Sequence, residues 1–269
     1  MILFPPAKIN LGLRILRKRA DGYHDLETCL LPVPWRDALE VIESNAFSFQ
    51  TSGLLIPGDP ERNLCVRAYR LLQQDFGLPP VVVYLHKIIP MGAGLGGGSS
   101  DAASMLVLLN ELFELSLTTP ALQAYAARLG SDCPFFIDPR PRMAYDTGTT
   151  LEDVSLDLSG KYLVLVFPNV AVTTAEAYAR VIPQEPNSVL RELLTTQPMP
   201  RWKDQVVNDF EVSVFQQHPL LAHIKKQFYQ AGAVYASLSG SGSALYGFFE
   251  APVALPEAWS AYTVWQGAL

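Results

Sequence analysis

The feature that most constrains this chain is a run of eleven residues that contains five glycines, between a predicted strand and a predicted helix. Its members are Pro90, Met91, Gly92, Ala93, Gly94, Leu95, Gly96, Gly97, Gly98, Ser99 and Ser100. The preceding Val81–Ile89 is rich in β-branched residues, and apolar residues recur at helical spacing from Ala102 to Phe113. Glycine lets the backbone approach a ligand closely, and the unpaired N–H groups at a helix start attract anions. The run therefore predicts a phosphate-binding loop, against the alternative of a glycine turn that binds nothing.

Two common nucleotide-binding patterns describe this loop poorly. No Gly-Lys-Ser/Thr follows it, which excludes a Walker A loop. Gly92, Gly94 and Gly97 satisfy the dinucleotide pattern GxGxxG, but Glu111, which could be offered as the acidic partner, falls too early, within the continuing helix. A nicotinamide-dependent oxidoreductase stays open as an alternative class. The last two residues of the run, both serines, are placed to cap the helix and to meet a phosphate oxygen.

Composition and charge argue against several other classes. The chain has 269 residues, of which 49% are hydrophobic and 17% charged, as in a compact protein of one large domain or two. Its net charge of −6 gives no basic surface for nucleic acid. The 3 cysteines are widely spaced, so we expect reduced thiols rather than disulfides or a metal site. No secretion signal is recognisable, and apolar stretches such as Tyr162–Phe167 are too short to span a membrane, so we expect a soluble, cytoplasmic protein.

Turn and capping residues predict two local structures. An extended N-terminal segment ends at a turn containing Asp21 and Gly22, which predicts a hairpin with the following strand. A helix is predicted with Thr119 as its N-cap, Pro120 at its first position and Gly130 after its end.

The remaining patterns predict an α+β protein of two domains. A weakly patterned acidic stretch at residues 147–160 predicts a boundary between an N-terminal domain, 1–153, and a C-terminal domain, 154–269. Short buried strands are predicted at Val164–Phe167 and Leu245–Phe249, and helices at Thr174–Arg180 and Pro219–Gln230.

Three segments resemble the ordered motifs of one superfamily. The loop at 90–100 resembles the Pro-x-x-x-Gly-Leu-Gly-Ser/Gly-Ser-Ser motif of the GHMP kinases, which include galactokinase, homoserine kinase, mevalonate kinase and phosphomevalonate kinase. Residues 6–11, Pro-Ala-Lys-Ile-Asn-Leu, resemble the first motif, and residues 237–244, Ser-Leu-Ser-Gly-Ser-Gly-Ser-Ala, resemble the third. The resemblance implies a two-domain GHMP kinase fold, with an N-terminal α/β domain that carries the phosphate loop and a ferredoxin-like C-terminal domain.

Five segments resemble one family within this superfamily, the 4-diphosphocytidyl-2-C-methyl-D-erythritol kinases. They are 7–11, 19–24 (Arg-Ala-Asp-Gly-Tyr-His), 63–64, 130–136 (Gly-Ser-Asp-Cys-Pro-Phe-Phe) and 208–211 (Asn-Asp-Phe-Glu). Members of this family transfer the γ-phosphate of ATP to the 2-hydroxyl of 4-diphosphocytidyl-2-C-methyl-D-erythritol, a step of the non-mevalonate route to isoprenoid precursors. The resemblance implies an ATP-dependent kinase with Mg²⁺ as the companion of ATP, although the sequence offers no ligand set for the ion.

The resemblance also assigns roles to single residues. Lys8 matches the lysine that stabilises phosphate charge, and Asp132 matches the general base. Asn10 is expected near the acceptor hydroxyl or the diphosphate, and Asn63 beside the adenine. Without the motif match, the lysine and the aspartate would be a surface lysine and a loop-capping aspartate. Cys133 is expected to fill a small buried space rather than to act as a nucleophile.

A pocket for cytosine is expected from aromatic residues. By resemblance, Tyr23 and His24 stack on the base and bond its edge. Thr174 and Tyr178 are also expected to bind the substrate, with Tyr178 as a second aromatic wall. Many family members carry an aromatic residue and a glutamine after the Tyr-His segment, whereas this chain has Cys-Leu-Leu-Pro at 29–32. We therefore expect weaker or rearranged stacking on that side. The third motif is expected to support the substrate and the phosphate loop without transferring a proton.

Two further functions stay open at this point. A GHMP kinase acting on another small alcohol, of the mevalonate or homoserine type, would keep the glycine loop with Lys8 and Asp132. A non-catalytic protein that binds a nucleotide or a sugar nucleotide would keep the fold alone.

Overall fold

Strands and helices are mixed along the chain, and the computed structural model describes all of residues 1–269. The twelve strands are β1 Ile2–Leu3, β2 Pro6–Lys18, β3 His24–Arg36, β4 Ala38–Glu43, β5 Ser48–Gly53, β6 Val81–Lys87, β7 Arg142–Tyr145, β8 Thr150–Asp153, β9 Tyr162–Phe167, β10 Tyr235–Leu238, β11 Leu245–Phe249 and β12 Thr263–Ala268. The seven α-helices are α1 Leu64–Phe76, α2 Gly97–Leu112, α3 Thr119–Ala127, α4 Thr174–Arg180, α5 Leu190–Thr196, α6 Phe210–Gln217 and α7 Pro219–Gln230. None of the helices is long and apolar enough to cross a membrane.

The first of two compact units is a four-stranded sheet packed against three helices. It comprises Met1–Ala7, Trp35–Met91 and Gly96–Pro139. The strand order is β1-β4-β6-β5, in which β5 runs parallel to β6 and the other pairs are antiparallel. Alternate residues of β6 point into the core, where they pack with apolar residues of α1, α2 and α3. This core holds the strand before the glycine loop and the helix after it.

The second compact unit contains two four-stranded sheets. It comprises Lys8–Pro34, Gly92–Leu95 and Arg140–Leu269. One sheet has the order β2-β3-β7-β8. The turn between β2 and β3 uses Gly22 at φ +89° and closes with a 2.8 Å hydrogen bond from the Arg19 amide to the Tyr23 carbonyl. The predicted hairpin is therefore confirmed.

The other sheet of this unit has the order β10-β11-β9-β12 and is antiparallel throughout. Of these four strands, β9 comes first in the chain and lies between β11 and β12, the third and the fourth. This is the ferredoxin-like arrangement expected for the C-terminal part. Phe228 of α7 packs against Trp259 with ring centroids 4.6 Å apart and contributes to the apolar core on this sheet. Burial of such large rings is the main favourable contribution to folding here.

The predicted elements are confirmed, with two corrections at helix starts. The strand at Leu245–Phe249 and the helices at Thr174–Arg180 and Pro219–Gln230 have the predicted bounds. Helix α2 begins at Gly97, earlier than the apolar periodicity indicates, because glycine and serine carry no apolar signal. The N-cap of α3 is Thr118 and not Thr119: the Thr118 hydroxyl accepts a hydrogen bond from the Ala121 amide at 3.4 Å.

The compact units have different bounds from the predicted domains 1–153 and 154–269. Residues 8–34 and 92–95 belong to the unit that contains the C-terminal part of the chain. The cause is the pairing of β3 with β7, which joins residues more than 100 positions apart, whereas the turn residues near 150 report only a local break. A division of the sequence near residue 153 stays a prediction.

Candidate active site

The glycine loop depends on glycine for its backbone conformation. Gly92, Gly94 and Gly96 have φ angles of +64°, +78° and +69°, in the left-handed region that other residues rarely adopt. Gly96 is the N-cap of α2, and no side chain caps the helix. The first N–H groups of α2 are therefore not used by a capping side chain, and phosphate binding at this loop stays a prediction.

The two serines after the glycines do not cap the helix as predicted. Ser99 and Ser100 lie inside the first turn of α2, because the helix has already begun at Gly97. Ser100 is fully buried, and its hydroxyl has no hydrogen-bond partner in the protein. An unpartnered buried hydroxyl is costly, so Ser100 is a group of the loop that a ligand or a water molecule could satisfy.

Within the second unit, hydrogen bonds join the three motifs. The Lys8 amide donates to the Leu95 carbonyl at 2.9 Å, which links the first motif to the glycine loop. The Ser239 hydroxyl donates to the Gly94 carbonyl at 2.8 Å, and the Ala244 amide donates to the Ala93 carbonyl at 3.0 Å. The loop formed by the third motif thus supports the central residues of the glycine loop, as predicted.

Lys8 and Asn10 form a buried polar pair on β2. The Lys8 Nζ donates to the Asn10 Oδ1 at 2.7 Å, and the Asn10 Nδ2 donates to the Thr28 hydroxyl at 3.1 Å. The Tyr246 hydroxyl donates to the Asn10 carbonyl at 2.7 Å. Both side chains are only 4% exposed, so Lys8 is not the surface lysine of the alternative interpretation. Lys8 is thus a buried lysine side chain fixed by a neutral amide on the same strand.

Asp132 lies in the first unit, immediately before a 3₁₀ turn at Cys133–Ile137. Its side chain makes no capping hydrogen bond to this turn. Burial raises the pKa of the adjacent Cys133 thiol to about 11, so this cysteine is a poor nucleophile, as expected. Lys8 belongs to the second unit and Asp132 to the first, and the pairing of the two side chains stays a prediction.

A cavity of about 370 Å³ lies in the first unit beside the start of α2. Its walls include the apolar side chains of Phe49, Ile56 and Leu64, together with Asn63 and Gly98. The Asn63 Oδ1 accepts a hydrogen bond from the Cys65 amide at 2.9 Å and so caps α1. Its amide nitrogen is the atom that can donate to a nucleotide base. The cavity thus combines apolar walls with polar and charged groups beside the start of α2, a combination that suits a purine.

His24 and Tyr178 pair in the second unit. Their ring centroids are 4.9 Å apart with an interplanar angle of 29°, and Phe210 packs edge-on against the tyrosine at 4.8 Å. Tyr23 is 67% exposed. The Thr174 hydroxyl lies 3.5 Å from the Ser241 hydroxyl of the third motif. The structure therefore brings together His24 with Tyr178, and Thr174 with the third motif.

Leu30 and Leu31 lie on β3 and are almost fully buried in the core, at 2% and 4% exposure. They point away from solvent on both faces of the strand and so contribute packing. The aromatic surface offered by the second unit consequently comes from the Tyr-His segment and from α4.

Two polar residues hold the third motif and were given no role in the sequence analysis. The Asn208 Nδ2 donates to the carbonyls of Leu238 and Gly240, both at 2.8 Å. The Glu211 Oε1 accepts from the Leu238 amide at 2.9 Å. Both belong to the segment 208–211, in which polar residues flank a buried phenylalanine, and this contrast is the signal that could have marked them.

The comparisons with known proteins first define a class. Residues 63–138 match the family described as GHMP kinases N terminal domain, and residues 190–263 match GHMP kinases C terminal. The homoserine kinase of Cytophaga hutchinsonii shares the fold, with a TM-score of 0.67 at 15% identity over 98% of this chain and 95% of that one. The glycine loop thus belongs to a GHMP kinase, and the dinucleotide-binding alternative is not retained.

Relatives at higher identity narrow the class to one family. The 4-diphosphocytidyl-2-C-methyl-D-erythritol kinase of Bacteroides fragilis is 52% identical over 253 residues, 93% of this chain and 92% of that protein. The enzyme of the same name from Parabacteroides distasonis is 46% identical over 271 residues and covers both chains fully. A crystal structure of 4-(cytidine 5'-diphospho)-2C-methyl-D-erythritol kinase superposes with a TM-score of 0.81 at 32% identity, covering 99% of this chain and 98% of that one. The chain belongs to the 4-diphosphocytidyl-2-C-methyl-D-erythritol kinase family.

Proposed function

We propose that the chain transfers the γ-phosphoryl group of ATP to the 2-hydroxyl of 4-diphosphocytidyl-2-C-methyl-D-erythritol. The observation that carries this proposal is the hydrogen-bonded assembly of Lys8, the glycine loop and Ser239 in one unit that also holds the paired rings of His24 and Tyr178. The first feature suits phosphate, and the second suits a flat base. Family membership supports the same reaction.

The donor nucleotide is assigned to the first unit. Its base fits the cavity lined by Phe49, Ile56 and Leu64, where the Asn63 amide nitrogen can donate to a ring nitrogen. Its phosphates fit the uncapped start of α2, because the helix dipole and the free N–H groups both favour negative charge there. These two features support a nucleotide as the donor, and family membership supports ATP.

The cytidine end of the acceptor is assigned to the Tyr-His segment. The exposed ring of Tyr23 offers a face on which a pyrimidine can stack, and His24 is held in place by Tyr178. Burial, followed by the nearby Lys18 charge, lowers the pKa of His24, so its imidazole is neutral at pH 7. A neutral imidazole has one donor and one acceptor, which matches the mixed edge of cytosine.

The chemical step needs charge and one proton acceptor. In the proposed reaction, the 2-hydroxyl oxygen bonds the γ-phosphorus while the bond to the β–γ bridging oxygen breaks, and ADP leaves. The hydroxyl proton passes to the Asp132 carboxylate. Lys8, held by Asn10, offsets the charge on the transferred group. In this proposal Asp132 accepts the proton and Lys8 supplies the positive charge.

Mg²⁺ is the ion that ATP chemistry implies, because it offsets phosphate charge. No group of three or more His, Cys, Asp or Glu side chains in the chain is arranged to hold a metal ion. The ion would therefore take its ligands mainly from phosphate oxygens and water, which fits the tendency of Mg²⁺ to keep its waters.

The proposal is tested by measuring ADP release from the purified chain with ATP and Mg²⁺. 4-Diphosphocytidyl-2-C-methyl-D-erythritol, mevalonate, phosphomevalonate and homoserine serve in turn as acceptors. We expect turnover with the cytidyl acceptor alone. Turnover with only another acceptor would overturn the substrate assignment while keeping the kinase.

Asp132→Asn is expected to lower kcat about a hundredfold or more while ATP binding persists, because the variant cannot accept the proton. Asp75→Asn, at a carboxylate on α1 that pairs with Arg128 on the surface, is the control and should keep wild-type turnover. Near-normal turnover in folded Asp132→Asn would refute the general-base role.

A further inference from the structure

Three charged side chains are buried together in the first unit, at the cavity assigned to the donor base. Lys87 ends β6, Asp37 precedes β4, and Asp101 lies in the second turn of α2. The Lys87 Nζ forms ion pairs with the Asp101 Oδ2 at 2.7 Å and with Asp37. The exposed fraction of each side chain is 4% or less. Charges this deeply buried persist only when they are paired.

The two carboxylates have unequal partners. The Asp37 Oδ1 accepts hydrogen bonds from the amides of Ile88 and Ile89, at 2.5 and 2.8 Å, and its other oxygen accepts from Lys87. The Asp101 Oδ1 is buried and has no hydrogen-bond partner. Two carboxylates therefore face one ammonium group, and one carboxylate oxygen is unsatisfied. That arrangement favours a proton on Asp101.

Lys87 also contacts two segments that each contribute lining residues to the donor cavity, the one that ends at Ile56 and the start of α2. Its carbonyl accepts a hydrogen bond from the Leu54 amide at 2.8 Å and leaves no room for a side chain at Gly53, where a Cβ would lie 2.2 Å from that oxygen. Its Nζ lies 2.8 Å from the place of a Cβ on Gly97, the first residue of α2. Lys87, Asp101 and Ile56 all line the cavity. One residue thus connects the Gly53–Ile56 segment with the helix start.

We propose that Lys87, with Asp37 and Asp101, is a positioning residue for the phosphate donor: the charge cluster holds the Gly53–Ile56 segment and the first turns of α2 on the two sides of the donor nucleotide. This inference rests on the proposed function, because it concerns the site assigned to ATP. It extends that function because it places at the donor cavity a buried carboxyl group, that of Asp101, whose charge changes with pH.

The cluster links donor binding to a proton. Burial, together with the Asp37 carboxylate, raises the pKa of Asp101 to about 7. Above this pH the cluster carries an excess negative charge close to the helix start that receives the phosphates. Donor affinity is therefore expected to fall as the pH rises through 7.

Other titratable or charged groups lie nearby: His86, which precedes Lys87 on β6, is exposed and pairs with Ser52, and Arg67 of α1 is exposed. The elements packed against α2 present the thiols of Cys65 and Cys133, whose pKa values burial raises, so both stay neutral. Helix α3 and strand β1 contain no acidic, basic or histidine side chain. Glu40 of β4 alternates with the core residues on that strand and so lies on its other face. At the cavity mouth, Asp59 and Arg62 are exposed.

The test compares the full-length wild type with Asp101→Asn and Lys87→Met. The KM for ATP and kcat are measured from pH 6 to 8.5 with saturating Mg²⁺ and cytidyl acceptor, and the Kd for Mg·ATP is measured by calorimetry. For the wild type we expect the KM and Kd to rise about threefold or more across this range, with kcat changing less. Asp101→Asn, which mimics the protonated carboxyl, should keep the low-pH value throughout.

Lys87→Met should raise the KM for ATP about tenfold at every pH, with kcat at saturating ATP within about threefold of the wild type. Glu43→Gln, an exposed carboxamide substitution in the same unit, is the control and should follow the wild-type profile. An Asp101→Asn profile that parallels the wild type would overturn the inference, as would an unchanged KM in folded Lys87→Met. Calorimetry distinguishes failure of this inference from failure of the kinase proposal. If no ADP is released, the Kd for Mg·ATP can still be compared between the wild type and the variants.

Discussion

Gly94 gives the sharpest structural prediction, because its neighbour on the third motif leaves no room for a side chain. A Cβ at Gly94 would lie 2.0 Å from the Ser239 carbonyl oxygen and 2.9 Å from its carbon. Gly92 has a similar φ of +64° against +78°, but nothing lies within 4 Å of its Cβ position. Gly92→Ala is therefore a matched control for Gly94→Ala, since both variants strain the backbone and only one meets another chain segment.

The expected magnitudes follow from these distances. Alanine in the left-handed region costs about 1–2 kcal/mol, partly offset by a less flexible unfolded chain, so Gly92→Ala should lower the free energy of unfolding by about 1 kcal/mol. Gly94→Ala should cost about 2–4 kcal/mol more. This extra cost combines about 1–3 kcal/mol of overpacking with about 1 kcal/mol for the strained hydrogen bond from the Ser239 hydroxyl to the Gly94 carbonyl.

Urea unfolding followed by tryptophan fluorescence measures the difference, because Trp202 and Trp259 are buried in the same unit as Gly94. Steady-state kinetics with ATP then shows whether the displaced loop changes the KM for ATP. If the two variants lie within about 0.5 kcal/mol of each other, the close approach of Gly94 to Ser239 does not exist in solution.

Three further predictions concern other parts of the site. Asn208→Ala should lower the free energy of unfolding by about 1–3 kcal/mol, because two buried carbonyls lose their hydrogen-bond donor. The control Asn187→Ala, at an exposed asparagine, should leave the free energy of unfolding unchanged. Equal effects of the two variants in urea unfolding would contradict this prediction. Tyr178→Leu should raise the KM for the cytidyl acceptor about tenfold and leave the KM for ATP unchanged, because the ring that pairs with His24 is lost. Tyr178→Phe keeps the ring, so both KM values should stay near those of the wild type. An equal change in both KM values of Tyr178→Leu would argue against the base pocket. Between about pH 4 and pH 7, Asp101 keeps its proton in the folded state and loses it in the unfolded chain. The free energy of unfolding should therefore fall by up to about 1.4 kcal/mol per pH unit as the pH rises to 7. If Asp101→Asn does not reduce this pH dependence of stability, the Asp101 carboxyl is not responsible for it.

Local patterns predicted the parts of this protein that neighbouring residues control. The glycine-rich run predicted a phosphate loop, because conformational freedom at glycine and free N–H groups at a helix start are local properties. Strand and helix positions such as Leu245–Phe249 and Thr174–Arg180 followed from hydrophobic periodicity. The resemblance in three ordered motifs added the superfamily and that in five segments the family, and the comparisons confirmed both.

Other features depended on contacts between residues far apart in the chain. The hydrogen bond from Ser239 to Gly94 joins residues 145 positions apart, and the sequence gives no local sign of it. The same is true of Asp37 and Lys87, which are 50 positions apart and unremarkable as single residues. From the sequence, Leu30 and Leu31 were interpreted as replacements for pocket residues of other family members. Only the structure shows that both are buried in the core on β3.

Residue types and short spacings in the sequence predicted a phosphate-binding loop, and the resemblance to the GHMP kinases implied the phosphoryl transfer and the residues expected to perform it. Only the tertiary structure decided which of those residues meet, where α2 begins, and which buried charges lack a full set of partners. Burial and hydrogen-bond satisfaction depend on the whole surroundings of an atom, and those surroundings come from segments that folding brings together.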